Sequence, residues 1–317
     1  PACEFISRRV FSANSTPLMA QPIYVCGPTA SGKSSLAVEL ACLLGGEIVN
    51  ADAYQLYRGL EIISAAPDAS ELSSAPHCLY GVLEQEELCD AMRFREMALI
   101  AIAEIQSRGK LPIITGGSGL YLKFLSHGPS SVPTGDETLR EQLSLESDDA
   151  LVARLSEIDP EGAALTNLKN RRYVIRALEI CLLTGRKMSE VKNDWKHKSA
   201  AIEKNLRGVY LQWDKDLLRE RINRRVDIML ELGAIEEVAA LKNPSATCEK
   251  AIGIPQIKSY LAGEIDLTEC KERIAAATRQ YAKRQRTWFS KENWLTPCPI
   301  DPDTVMKDLA EELARKL

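Results

Sequence analysis

Eight residues near the start of the chain, Gly27-Pro28-Thr29-Ala30-Ser31-Gly32-Lys33-Ser34, have the spacing G-x-x-x-x-G-K-[ST]. The two glycines allow a tight loop whose backbone N–H groups turn inward onto phosphate oxygens. Lys33 adds a positive charge, and the Ser34 hydroxyl can ligate Mg²⁺. A glycine turn can match the pattern by chance. Here a β-prone run, PIYVC (22–26), precedes it and a helix-like run, SLAVELACLL (35–44), follows. That context marks a site for a di- or triphosphate.

Phosphoryl-transfer enzymes with such a loop hold Mg²⁺ with a further acid at the end of an apolar strand. The candidate strand, LPIIT (111–115), runs instead into Gly116-Gly117-Ser118-Gly119. An acid does end the run EIVNAD (47–52): Asp52, followed by Ala53, Tyr54 and Gln55. A carboxylate to take a proton and an amide to read donor and acceptor edges suit a polar heterocycle. Asp52 equally suits a helix cap, and spacing alone leaves both open.

The 317 residues carry 40 Lys+Arg against 44 Asp+Glu, a net charge of −4, with 45% hydrophobic residues. This composition excludes a disordered or collagen-like chain. No apolar run approaches the roughly 20 residues of a membrane-spanning helix. Cations are nonetheless concentrated locally. Arg279–Lys291 holds Arg279, Lys283, Arg284, Arg286 and Lys291 without an acid, interleaved with Tyr281, Trp288 and Phe289. Asn167–Lys187 holds six cations, Arg172 and Arg176 among them, against Glu179 alone. Each run can be a solvated helix face, but two of them with aromatic neighbours suit RNA. Arg221 and Arg225 share a helix face at i, i+4; they can clamp an anionic leaving group or pair with Glu220 or Asp227. The nine cysteines lack metal-site spacing and are expected to be reduced, buried thiols (Cys26, Cys42 and Cys181 among them) of a cytoplasmic protein.

Strands at 22–26, 47–52 and 111–115 alternate with helices at 35–44 and 91–109, which predicts an α/β fold with a P-loop-type parallel sheet. The Gly/Pro/Ser cluster SHGPSSVPTGD (126–136) marks a boundary. Helix-like segments alone follow to about Lys198, and RGVYLQW (207–213) then reads as a strand returning to the sheet. Helices at 215–233, 254–263 and about 267–289 come next, with a short strand at NWLT. A core of 19–127 and 206–317 with a helical insertion at 128–205 is therefore expected. Residues 1–18, with Arg8 and Arg9, are expected to be a disordered leader.

The blocks GPTASGKS, NADAYQLYRGLEI, LPIITGGSGLYLK, RYVIRALEICLLTGR, RINRRVDIMLELGAIEEV, KAIGIPQIKSYLAGE and TRQYAKRQRTWF occur in an order that closely resembles the tRNA dimethylallyltransferase (isopentenyltransferase) family. The resemblance covers about residues 22–296. It implies transfer of a dimethylallyl group from dimethylallyl diphosphate to N6 of the adenine 3′ to the anticodon. It also implies that Gly27–Ser34 hold the diphosphate with Mg²⁺, that Arg225 assists them, and that Asp52 takes the N6 proton. Ala53, Tyr54, Gln55 and Ser118 would hold the extruded nucleotide. Arg172 and Arg176 of the insertion, with Arg279, Lys283 and Arg284, would grip the anticodon stem-loop. Such enzymes are mostly monomeric. Ser64-Ala65-Ala66-Pro67 lacks the lysine of the usual Gly-Thr-Ala-Lys-Pro block, which puts one phosphate or RNA contact in doubt. The zinc-finger spacing of eukaryotic relatives is missing, which favours the bacterial type. An adenylate isopentenyltransferase would not need the basic insertion, and a small-molecule P-loop kinase would need the missing acid.

Overall fold

The computed structural model of the protein describes residues 20–129 and 135–316. The expected leader and residues 130–134 of the boundary cluster lie outside them. Six strands, β1 (Ile23–Cys26), β2 (Gly46–Asn50), β3 (His77–Cys78), β4 (Leu111–Gly116), β5 (Arg207–Trp213) and β6 (Leu295–Ile300), form one sheet in the order β3-β2-β4-β1-β5-β6. Every pairing is parallel. Parallel strands must be covered on both faces, and β1 is buried at all four positions.

Helix α1 (Lys33–Leu44) covers one face with Leu36, Ala37 and Leu40. Helix α2 (Ala91–Ser107) covers the other with Phe94, Ala98 and Ile105. Helix α3 (Gly119–His127) leads out of β4 towards the insertion, which ends with α4 (Arg171–Thr184) and α5 (Met188–Glu203). After β5 come α6 (Lys215–Glu231) and α7 (Leu267–Phe289), which pack on each other; α8 (Met306–Ala314) closes the α1 face. The chain passes from β1 to β2 over β4, so β1 and β4 flank a topological switch point. Ligands of open α/β sheets bind there, beyond the carboxyl ends of the strands.

Helix α1 starts two residues before its apolar run, inside the phosphate loop, because Gly32 takes φ +86° and turns the chain into it. Strand β2 stops at Asn50, leaving Asp52 on the loop beyond it. Strand β6 extends past the expected NWLT through Pro297 and Pro299, which an edge strand tolerates. Cys26 and Cys181 are buried as expected, but Cys42 lies on the outer face of α1 and is exposed.

The helices between Glu137 and Glu203 gather around their own apolar cluster, with Leu151, Leu155, Val174, Leu178 and Met188. Asp159 is fully buried beneath them and accepts hydrogen bonds from Gly162 N, Ser189 N and Ser189 Oγ at 2.7–2.9 Å. Burial alone would raise its pKa, but these donors hold the carboxyl below the usual range.

Candidate active site

The phosphate loop leaves β1 at Gly27 and enters α1 with no side-chain cap and no acid in the helix's first turn. The first N–H groups of α1 therefore stay open to an anion. The Ser31 hydroxyl is buried without a hydrogen-bond partner among the described residues. Such an orphan is costly unless a ligand completes it. The loop's carbonyls are braced from outside: Trp213 Nε1 donates to Ser31 O and Arg221 Nε to Ala30 O, both at 2.9 Å. The Arg221 guanidinium lies 4.4 Å over the Trp213 ring. Arg221 thus holds the loop by its backbone.

One loop amide departs from the expected cradle. Thr29 N donates to Gln285 Oε1 at 2.8 Å, while Gln285 Nε2 donates to Gly117 O at 2.9 Å. Gln285 is buried and ties α7 to both the phosphate loop and the β4 loop. The glycines after β4 now have a reason. A Cβ on Gly116 would sit 2.2 Å from Ala51 O, and one on Gly117 would sit 2.2 Å from Gln285 Nε2. A side chain at Gly116 would push the β2 loop away, and one at Gly117 would displace the Gln285 amide.

Ser118 completes the bridge. Its hydroxyl accepts from Ala53 N at 3.0 Å and also interacts with the Tyr281 hydroxyl. Asp52 is steadied by Asn50, whose Oδ1 accepts from Asp52 N at 2.8 Å, and by Tyr54 N, which donates to Asp52 Oδ1 at 3.1 Å. The aspartate caps no helix, which removes one of the two readings left open by its spacing. Gln55 departs from expectation: its Nε2 donates to Ser64 O and Ala65 O at 3.2 and 2.8 Å. The amide is used to hold the 64–65 corner, so reading a base with it would require breaking those bonds.

Thr29, Asp52 and Tyr54 border a cavity of about 60 Å³ with Ser64, Arg225 and Tyr281, whereas Lys33, Gln55, Ser118 and Gln285 are not in its wall. Apart from Thr278, the rest of the wall is apolar, with Ile222, Val226 and Met229 from α6 and Ile274 from α7. Ser64 Oγ is a second buried hydroxyl without a partner among the described residues. Arg225 Nη2 donates to Ser64 O at 3.3 Å. Burial pushes the Lys33 ammonium down to about 8, with Arg225 adding to the effect and Asp52 opposing it. Arg225 is shifted down for the same first reason. Two cations held in a partly dry site with too little negative charge are arranged for an anion.

Thr115, at the end of β4, donates its hydroxyl to Val25 O at 3.4 Å. The Ser34 hydroxyl and the Asp52 carboxylate are hard oxygen donors of the kind a divalent metal takes.

The basic runs divide on folding. In the insertion, Arg171 pairs with Asp148, Arg186 with Asp194, and Arg176 with the buried Glu179 at 3.3 Å. Arg172 is exposed beside the exposed Tyr173. On α7, Arg284 lies 5.6 Å from the Tyr281 ring and interacts with Tyr54, at the Asp52 side. Arg279 and Lys283 instead line a separate cleft of about 920 Å³ with Lys215, Arg219 and Arg286. The three α7 residues therefore do not form one patch.

Sequence reasoning missed Tyr281 and Gln285 as site residues, together with Ser64 and the 251–252 turn. Their signal is modest: Tyr281 and Gln285 are i, i+4 and share the inner face of α7.

The family model described as IPP transferase matches residues 55–292. The tRNA dimethylallyltransferase of Akkermansia muciniphila is 45% identical over 93% of this chain and 99% of its own. That of Geobacter sulfurreducens is 40% identical over 85% and 89%. The crystal structure of the tRNA isopentenylpyrophosphate transferase of Bacillus halodurans superimposes with a TM-score of 0.66 at 33% identity, covering 93% of this chain and 96% of that one. A eukaryotic dimethylallyltransferase acting on tRNA gives 0.73 at 29% identity, covering 92% and 75%. With a matched domain over most of its length and relatives sharing two residues in five or more, the chain belongs to the IPP transferase family of tRNA dimethylallyltransferases.

Proposed function

We propose that the protein transfers a dimethylallyl group from dimethylallyl diphosphate to N6 of the adenine 3′ to the anticodon of a tRNA. The reading rests on one observation above the others. Thr29 of an uncapped phosphate loop, Arg225 and Asp52 border one small cavity whose wall is otherwise largely apolar.

The chemistry needs those parts. An adenine amino group is a poor nucleophile because its lone pair is delocalised into the ring. The barrier therefore falls chiefly through stabilisation of the departing diphosphate. The first-turn amides of α1, Lys33 and Arg225 supply that stabilisation, and Arg225 reaches the cavity from the side of α6. A Mg²⁺ ion held by Ser34 and the diphosphate would neutralise further charge. The C5 chain lies against Ile222, Val226 and Met229, where water is excluded. Asp52, steadied by Tyr54 N, receives the N6 proton, a positioned base being worth about 10²–10⁴-fold. Ser118 and Tyr54 border the place of the adenine. Extruding that base costs roughly a few kcal/mol, offset by contacts of Arg172 and its neighbours on the insertion, together with Arg284, to the stem-loop. The enzyme works as a monomer in the cytoplasm; among the described residues no helix is long and apolar enough to cross a membrane.

The test uses radiolabelled dimethylallyl diphosphate with Mg²⁺, offering an unmodified anticodon stem-loop and AMP side by side. Label is expected on the RNA alone. Label on AMP alone would replace the RNA reading with a free-nucleotide one.

A further inference from the structure

Both covalent connections between insertion and core pass one cluster of ionisable side chains. The outgoing chain leaves α3 at His127, and the returning chain leaves α5 at Glu203. Lys123, one turn before His127, donates from Nζ to Glu292 Oε2 at 2.8 Å and lies 3.6 Å from Glu203 Oε1. His127 is buried, with Nε2 at 3.1 Å from Glu203 Oε1 and 3.2 Å from Lys123 Nζ, and Nδ1 at 2.7 Å from Ser126 Oγ. Glu292 Oε2 also accepts from Trp294 Nε1 at 3.0 Å, and the Trp294 ring stands edge-on to Tyr24 of β1 at 5.1 Å. The cluster thus runs from the last residue of the insertion's final helix, α5, to β1 inside the sheet. Nothing in the proposed transfer chemistry uses it.

We infer that Lys123, Glu203, Glu292 and His127 form a clamp that sets the angle of the insertion against the core, making Lys123 a positioning residue for RNA binding. This rests on the reading that the insertion touches the RNA. Ligand atoms of His127, Glu203 and Glu292 lie within 4.8 Å of one another. The Lys123 ammonium is the cation that holds the two carboxylates together. Without it, Glu203 on the insertion and Glu292 on the core repel across a poorly solvated gap. The cheapest relief is for the insertion to swing out on its two connections. Such a swing displaces Arg172 and Tyr173, which the insertion carries, and leaves the phosphate loop, Asp52 and Arg225 where they are.

The experiment measures affinity for an anticodon stem-loop by fluorescence anisotropy, together with kcat and the KM for dimethylallyl diphosphate at saturating RNA. Lys123→Met is expected to weaken RNA binding about tenfold, the equivalent of about 1.4 kcal/mol, with kcat and donor KM unchanged within about twofold. Lys123→Arg is expected to stay within about threefold of the parent for RNA. If Lys123→Met alone does not fold, adding Glu203→Gln removes the repulsion, and the double variant is expected to fold and to bind RNA within about threefold of the parent. A fall in kcat, a raised donor KM, or a lowered melting temperature with unchanged RNA affinity would overturn the inference. Arg172→Ala separates the two levels. If it leaves RNA affinity unchanged, the insertion reading falls. If it weakens binding and Lys123→Met does not, the clamp alone falls.

Discussion

Arginine does opposite work beside the phosphate loop and in the insertion. At the site, Arg221 and Arg225 donate to backbone carbonyls, Ala30 O and Ser64 O, and among the described residues neither has a carboxylate as a hydrogen-bond partner, whereas Arg58, Arg93, Arg108 and Arg273 elsewhere in the core are paired with acids. In the insertion, Arg140, Arg171, Arg176 and Arg186 all pair with acids. A guanidinium fixed by carbonyls keeps its positive field for an incoming anion; one fixed by a carboxylate has spent it. Local charge counts alone do not show this difference. Pairing does, leaving Arg172 as an exposed cation on the insertion and Arg225 beside the phosphate loop as positive charge held in reserve.

The largest expected effects break the core side. Asp52→Ala is expected to lower single-turnover transfer by about 10²–10⁴-fold, the worth of a positioned base, while stem-loop affinity by anisotropy stays within about twofold. A matching loss of RNA affinity would make Asp52 a binding group. Arg225→Ala is expected to cost about 10²–10³-fold in transfer, as for loss of one donor to a developing anion. Arg225→Lys should recover part of it, since charge returns without the fork.

The insertion side answers in stability. Glu179 is fully buried between Arg140 at 3.0 Å and Arg176 at 3.3 Å. Removing both arginines strands its carboxylate. The double change Arg140→Ala with Arg176→Ala is expected to destabilise the protein by about 1–3 kcal/mol in urea, and adding Glu179→Gln should recover much of it. Equal loss with Glu179→Gln present would show that the arginines matter for packing rather than for the buried charge.

How far the sequence speaks follows the same division. The phosphate loop, Asp52 and the glycine block were legible because backbone geometry demands particular residue types there. Gly116 has the Ala51 backbone where a Cβ would be, and a side chain at Gly117 would displace the Gln285 amide. The other long strands and helices of the core were legible from periodicity; the two-residue β3 and the nine-residue helices α3 and α8 were not, and β6 was legible only at its start. Side-chain commitments across long separations stayed hidden. Nothing near Gln55 announces that its amide belongs to Ser64 and Ala65, and Gln285 lies 256 residues from the Thr29 amide that it accepts. Nor could composition separate Arg284 from Arg279 and Lys283, which the helical turn sends to different flanks of α7.

The smallest effects come from pH, and they run in opposite directions in the two halves. Lys33 is pushed down to about 8, chiefly by burial. The protonated form binds the diphosphate, so kcat/KM for the donor should decline as pH rises through about 8. Bound diphosphate favours the ammonium, so kcat at saturating donor should bend only at higher pH. Asp159 is held below the usual carboxylate range by Ser189 and Gly162. Its folded pKa lies below its unfolded value, so its stabilising contribution is complete above about 4 and disappears as pH falls further. Urea melts at pH 7 and in the acid range should lose less stability on acidification in Asp159→Asn than in the parent. A donor profile flat through pH 8 would mean that Lys33 carries no charge the diphosphate needs. Identical acid sensitivity in the two proteins would mean that Asp159 binds its proton as readily folded as unfolded. Either result would erase the distinction between charge held for a ligand and charge consumed by the fold.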